Sequence, residues 1–549
     1  MRGEASFDYV IVGGGSAGCV LAARLSEDPD VSVLLLEEGP PDRSPAIHLP
    51  AMVYKTATGP LLQRIPWEPA NGAADGVDAP HMVQARVLGG GSSVNAMVYV
   101  RGIPSDFDGW AAQGAEGWDY AGVLPYFKRA ESNDSFSGDS HGSDGPLWVS
   151  SQPAPHPLTK AWLRACQEFG IPPVADFNDG VQTGCGLYQI TARNGRRAST
   201  AVTYLNPARR RRNLTVRTRC RATRIVLEKG RAVGVAFLAG GRPETVRAAR
   251  EVVLAAGALQ SPRLLLQSGI GPAAHLRAVG VDVRHDLPGV GQGLQDHMDV
   301  YLVHELDGVE SYDAYRRWHR KLAAGLQWLL FRRGPLCSNL IEGGAFWWGD
   351  PSVVEPNLQF HFLPGTGIEE GVQPAAGANG TTLNICLTRP RSRGMVELTS
   401  ADPGAPLRVA PNYFADPFDL DCMAEGIRLG QEIMAQPSMA RVVAREQLPG
   451  RRLATLDERR AYVKQRAQGA LHPVGTCRIG LDARAVVDPF LRVHGIEALR
   501  VADASVMPSV PSGNTNAAAI MVAEKAADLL RLGIAPAVSR AVSSPAVAT

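Results

Sequence analysis

The sequence contains no Cys-x-x-Cys pair, although eight cysteines are scattered from Cys19 to Cys477. That spacing excludes a zinc knuckle and a dithiol redox centre, and a disulfide framework is not expected in a chain this long. Isolated, reduced thiols point to a reducing compartment. No apolar run approaches the ~18 residues that a membrane-spanning helix needs. A charge excess is missing too, since 56 Lys and Arg face 54 Asp and Glu for a net +2. Net charge therefore gives no reason to expect a nucleic-acid partner or an anionic membrane surface. No H-E-x-x-H or other tight ligand cluster occurs, so no catalytic metal is expected. Met1 to Ser6 lack the apolar stretch of a signal peptide and run straight into a strand, which makes the cytoplasm the expected location. There is no internal repeat.

What the chain does have is length and a glycine signature. At 549 residues it exceeds what one core usually supports, so two joined domains are expected. The first forty residues read as β-α-β: an apolar run at Tyr9 to Val12, helical spacing over Ser16 to Leu25, and a second apolar run at Val31 to Leu36. Between strand and helix lies Gly13-Gly14-Gly15-Ser16-Ala17-Gly18, a G-x-G-x-x-G pattern. In such a loop Gly13 allows the tight turn, Gly15 admits a pyrophosphate to the backbone, and Gly18 lets helix and strand pack closely. The helix N-terminus then offers free N–H groups to phosphates, Ser16 being its first residue. An acidic residue closes the second strand, as a dinucleotide ribose requires; Glu37 or its neighbour Glu38 can fill that place. This motif does not separate FAD from NAD.

Further along, Leu214 to Val216 and Arg224 to Leu227 read as strands of a small β unit, and Glu251 to Leu254 as another strand. Asn357 to Phe362 alternates polar and apolar residues, the mark of a strand with two distinct faces. Arg500 to Asp503 and Asn516 to Leu530 read as a last strand and helix.

Four segments then carry a family resemblance. Ala85-Arg86-Val87-Leu88-Gly89-Gly90-Gly91-Ser92-Ser93-Val94-Asn95-Ala96 resembles the first signature of the glucose-methanol-choline (GMC) oxidoreductases, and Gly257 to Gly271 resembles their second. Leu471-His472-Pro473-Val474-Gly475-Thr476-Cys477 is similar to the stretch that holds the family's active-site histidine, and Val501 to Pro508 to its last flavin-binding strand. The resemblance spans roughly residues 5 to 535. It implies an α/β fold (α+β overall), with a Rossmann-like FAD-binding domain and a discontinuous substrate-binding domain built on an antiparallel sheet flanked by helices. The FAD-binding region is expected over residues 5–297, with surface excursions at about 40–80 and 138–204. The substrate domain then covers 298–464, a return to the FAD domain 465–535, and a frayed tail 536–549.

By the same resemblance FAD would meet Gly13, Gly15, Ser16, Gly18 and the Glu37–Glu38 pair, and then Arg86, Gly91, Ser92, Asn95, Ala96 and Met97. Ala222, Asp503, Ala504, Asn514, Thr515 and Asn516 complete the expected contacts. The loop Gly89 to Ser93 suits a backbone cradle for the diphosphate and ribityl chain. Some family members attach the flavin through a histidine before the Asn95 position. Val94 stands there and has no nucleophile, so non-covalent FAD is expected.

The implied activity is oxidation of a primary or secondary alcohol, with His472 as base and Asn514 as ligand of the substrate oxygen; Asn516 is the alternative amide. Oxygen, a quinone or a cytochrome would accept the electrons. The same scaffold hosts hydroxynitrile lyases and a flavin photoenzyme acting on carboxylic acids, which form the alternative reading. His297 is expected to make a structural hydrogen bond and Arg209 to Arg212 to form a solvated turn. Trp347, Trp348, Phe360 and Phe362 either line a pocket or pack in the core, and Glu342 is a weak candidate for a substrate-facing carboxylate.

Overall fold

The computed structural model describes residues 5–68, 81–367 and 373–532. Continuous Val, Ile and Leu runs form strands buried on both faces, β1 (Ser6–Val12) and β2 (Val33–Leu36), joined by α1 (Ser16–Leu25). There follow β3 (Leu214–Arg217), β4 (Cys220–Glu228), β5 (Arg231–Ala239) and β6 (Arg242–Leu254). The sheet runs β3-β2-β1-β6-β5-β4, with Leu499–Val501 added parallel to β6. β3, β2, β1 and the second half of β6 are parallel, whereas the first half of β6 forms an antiparallel meander with β5 and β4. Two sequence expectations change here. Leu214 to Val216 belong to the parallel sheet beside β2 rather than to the small β unit, and Glu251 to Leu254 are the end of one 13-residue strand. A short β-branched run fits either kind of neighbour, so its own residues do not choose between them.

The second sheet is antiparallel. Its central members are β7 (Met298–Leu306), β8 (Gly343–Trp347), β9 (Leu358–Leu363) and β10 (Gly380–Leu387). They lie in the order β7-β10-β9-β8, with Val443–Leu448 outside β7 and Gly184–Leu187 outside β8. The edge strand Gly184–Leu187 comes from the stretch expected as an excursion of the FAD region; its glycines hide a strand from any propensity reading. Period-2 alternation gives this sheet two unlike faces. Val300, Leu302, Leu358, Phe360, Phe362, Leu383 and Ile385 form a core with Met423 and Ile427 of the helix Pro417–Met434. The register sets Tyr301 opposite Asn384 and Asn384 opposite His361, so these polar residues share the other face with Asp299.

The chain's two ends meet. The final helix Thr515–Arg531 packs on α1, where buried Glu524 pairs with Arg24 at 2.8 Å and accepts the Tyr204 hydroxyl at 2.8 Å. Residues 514–516 are thereby delivered to the glycine loop that opens the fold. The expected tail, 536–549, and residues 69–80 of the first excursion lie outside the described residues.

Candidate active site

A cavity of about 730 Å³ runs from the opening glycine loop to the polar face of the second sheet. Its first part is a cradle of glycines. Gly13 has φ 102°, and a Cβ there would lie 2.5 Å from the Ala255 carbonyl oxygen. Gly90, at φ 52°, sits so close to the other loop that a Cβ would be 2.6 Å from the Gly15 Cα. A Cβ on Gly91, by contrast, would meet nothing within 4 Å, so this backbone faces open space. Two glycine loops thus press together, and Gly15, Ser16, Ala17, Gly90 and Gly91 border the cavity where the first helix begins, a place suited to a diphosphate.

Glu37 is buried at the end of β2, where its carboxylate accepts the Gly14 and Gly39 amides at 2.7 Å each. Burial pushes its carboxyl up to about 7 in spite of those donors. Glu38 is half-buried and also lines the cavity, with Arg86, another lining residue, at 3.5 Å. Asp503 accepts the Gly257 amide at 2.8 Å and the Ser261 hydroxyl at 2.5 Å, and so fixes the strand end beside the cavity. The Ser16 hydroxyl donates to the Asn516 side chain at 2.7 Å, tying the first helix to the last. Ala222, Ala504, Thr515, Asn95, Ala96 and Met97 also line the wall, as does Val94. Gly18 and Ser92 stand back from it. A Cβ on Gly18 would strike the Gly13 carbonyl oxygen at 1.8 Å, and the Ser92 hydroxyl donates to the Gly89 carbonyl at 2.6 Å. Both shape the loops rather than face the cavity.

The second part of the cavity holds the imidazole. Leu471 has φ 66°, a left-handed backbone that a leucine adopts at some cost, and this turn aims the next residue inward. The His472 amide donates to buried Asp296 at 2.7 Å, and Asp296 also accepts the Tyr413 hydroxyl at 2.7 Å. Nδ1 of His472 lies 3.0 Å from Nδ1 of His297, and its Nε2 lies 3.4 Å from the Asn514 amide nitrogen. Burial, with His297 and His361 adding to it, holds the His472 pKa well below the usual histidine value, and His297 is pushed down to about 3. Both rings are neutral near pH 7. Of the two candidate amides, Asn514 is the one beside His472, whereas Asn516 belongs to the glycine-loop end.

Sequence reasoning missed the roof. Asp299, Tyr301, His361 and Asn384 line the same cavity, although the first, third and fourth are buried polar groups on strands. Asn384 donates to Asp299 at 2.9 Å and Gln468 donates to the Tyr301 hydroxyl at 3.0 Å. Asp299 Oδ1, His361 Nε2 and Asn514 Oδ1 are buried without a hydrogen-bond partner. Unmet polar atoms on a cavity wall are what a ligand satisfies. The signal existed in the alternation of Asn357 to Phe362, but a single strand does not reveal its partners.

Other candidates fall away from the cavity. Glu342 is buried and accepts from the His156 amide, Thr159, Tyr312 and Ser338 at 2.6–2.7 Å, a structural assignment. Phe360 and Phe362 are in the core, with Phe362 stacked on Trp162 at 5.3 Å. His297 makes its expected hydrogen bond, and its partner is His472 itself.

The GMC oxidoreductase family model matches residues 7–299 and 390–523. The chain is 43% identical, over 95% of both lengths, to an oxygen-dependent choline dehydrogenase of Sinorhizobium medicae. It is 40% identical to the alcohol dehydrogenase [acceptor] of Pseudomonas putida, again over 95% of each chain. Among solved structures, pyridoxine 4-oxidase from Mesorbium loti superposes with a TM-score of 0.85 at 31% identity, covering 95% of this chain and 98% of that one. Two glycine loops against a β-α-β turn, a buried carboxylate at the second strand's end and an imidazole facing the same cavity fit FAD, and the chain belongs to the GMC oxidoreductases, FAD-dependent enzymes of alcohol and choline oxidation.

Proposed function

We propose that this enzyme oxidises an alcohol that carries a second polar group, using His472 as general base and Asn514 as ligand of the substrate oxygen. The observation that carries the proposal is the 3.4 Å spacing of His472 Nε2 and the Asn514 amide beneath a roof of buried polar residues. When bound, FAD supplies the acceptor for the α-hydrogen and its electron pair. The protein supplies proton management and orientation.

For Nε2 to accept, His472 carries its proton on Nδ1, which donates to His297 Nδ1; His297 is then the Nε2–H tautomer. One substrate oxygen can accept from the Asn514 amide while its hydroxyl donates to His472 Nε2. As the carbonyl forms, that hydroxyl proton moves to Nε2. Asp296 holds the backbone of His472 in place, and the neighbouring His297 ring prevents rotation. Val94, without a nucleophile, supports non-covalent FAD. Oxygen, a quinone or a cytochrome then takes up the electrons.

The far end of the substrate is read by Asp299 and His361, whose unpartnered atoms ask for a hydroxyl or amine. The relatives named choline dehydrogenases point to a cationic alcohol, and an ionised Asp299 suits such a cation by charge even where the cation has no N–H to donate. Dehydrogenase relatives favour oxidation over the lyase and photoenzyme readings. An anaerobic panel that follows loss of flavin absorbance tests this. Amino alcohols and polyols should reduce the flavin faster than unbranched alkanols, and no reduction by any alcohol would refute oxidation.

A further inference from the structure

Of the twelve large apolar residues exposed on the described surface, six lie in the single helix Trp318–Phe331. Trp318 is 75% exposed, Leu322 56%, Leu329 60% and Leu330 67%, with Leu326 between them. Their spacing of four, four, three and one puts them on one stripe of the helix, and that stripe faces outward. The opposite side is the anchored one, where Ala324 is buried and the Trp328 indole donates to the Gly195 carbonyl at 2.7 Å. A water-facing helix normally shows the reverse pattern. With 14 residues it is ~21 Å long, and among the described residues no helix is long and apolar enough to cross a membrane.

The charge around the stripe is of one sign. From Arg316 to Arg333 there are six Lys and Arg and no Asp or Glu, in a chain whose net charge is only +2. Arg316 and Arg320 pair with Asp313 and Glu310, but Arg317, Lys321, Arg332 and Arg333 form no ion pair among the described residues. Arg332 stacks on the Trp328 ring at 3.8 Å, and an apolar stripe, a tryptophan at one end and cations without ion pairs at both ends are the features of a helix lying in the plane of an anionic bilayer. We propose that Trp318–Phe331 docks this enzyme on an anionic lipid surface, its stripe entering the acyl boundary and its cations meeting the headgroups. The whole-chain balance that argued against such a surface conceals this local excess. The segment after the helix leads inward: Leu336 packs with Val53 and Leu340, and Val53 and Ile341 line the cavity wall. The docked face and the cavity are therefore ends of one continuous stretch.

Co-sedimentation of the flavin-loaded full chain with lipid vesicles tests the proposal. The protein should pellet with vesicles of phosphatidylcholine containing one third phosphatidylglycerol, and pelleting should weaken with added salt. Vesicles of phosphatidylcholine alone should retain it poorly. The double variant Leu322→Glu, Leu329→Glu should lower vesicle affinity by at least about tenfold, because two exposed leucines that enter the acyl boundary on docking become charges. Its flavin content, melting temperature and rate of anaerobic flavin reduction should stay at wild-type values, which separates docking from folding and from the activity proposed above. Failure of the wild type to pellet with anionic vesicles would overturn the assignment, as would equal pelleting of the double variant. Sedimentation velocity covers the remaining occupant: a dimer that the double variant dissolves, with no vesicle binding, makes the face a contact between two copies and also overturns it.

Discussion

At the scale of single residues, the site rests on a neutral imidazole held by other residues. Replacing His472 by alanine should slow anaerobic flavin reduction by ~10²–10⁴-fold, the usual worth of a positioned base, with flavin content unchanged. A rate equal to wild type would remove His472 from the chemistry. The pH dependence follows from the shifts. His472 must be unprotonated to accept, and its pKa is depressed, so its activity is complete at neutrality and lost only as pH falls through that low value. Burial lifts Asp299 to about 6, so ionic recognition of an amine should fade below that pH. In Asp299→Asn, kcat/KM for amino alcohols should drop and the limb near 6 should vanish, leaving a decline at lower pH; a limb that stays near 6 in that variant contradicts the assignment. His472 and Asn514 were legible because each sits in a motif. Asp299, His361 and Asn384 were not, since an isolated polar residue in a strand carries no sign of which cavity it faces.

At the scale of elements, helix and strand identities were largely readable, while their neighbours were not. The helix over Ser16–Leu25 matches its expected span because glycines and a strand bracket it. Gly18 within it has a sharp test. An alanine Cβ would meet the Gly13 backbone carbonyl oxygen at 1.8 Å, an atom that does not swing aside, so Gly18→Ala should cost about 1–3 kcal/mol. A lower melting temperature with less bound flavin is expected, and a variant that melts like wild type with full flavin would show that the loop tolerates the shift. Elsewhere the reading failed for identifiable reasons. Leu214–Arg217 joined the parallel sheet because Val33–Leu36 offered it an edge, and Gly184–Leu187 became an edge strand through pairing with β8. Neither partner lies near in sequence.

At the scale of the whole molecule, the cofactor site is assembled from both ends of the chain, which implies a large linkage between binding and stability. FAD added to deflavinated protein should raise the melting temperature, by the equivalent of ~2.7 kcal/mol at a hundred times the dissociation constant. Acid precipitation should leave the yellow flavin in the supernatant, as Val94 demands; colour retained in the pellet would refute non-covalent attachment. The sequence alone determined the β-α-β start, the glycine loops, the acidic strand end and the histidine motif, since each depends on local backbone freedom or on contiguous residues. Only the tertiary structure decided that Asn514 rather than Asn516 stands beside His472, that four strand residues roof the cavity, and that one helix turns its apolar stripe outward. Those outcomes depend on register and on packing between segments hundreds of residues apart, and no local pattern encodes which face of an element its distant neighbours will cover.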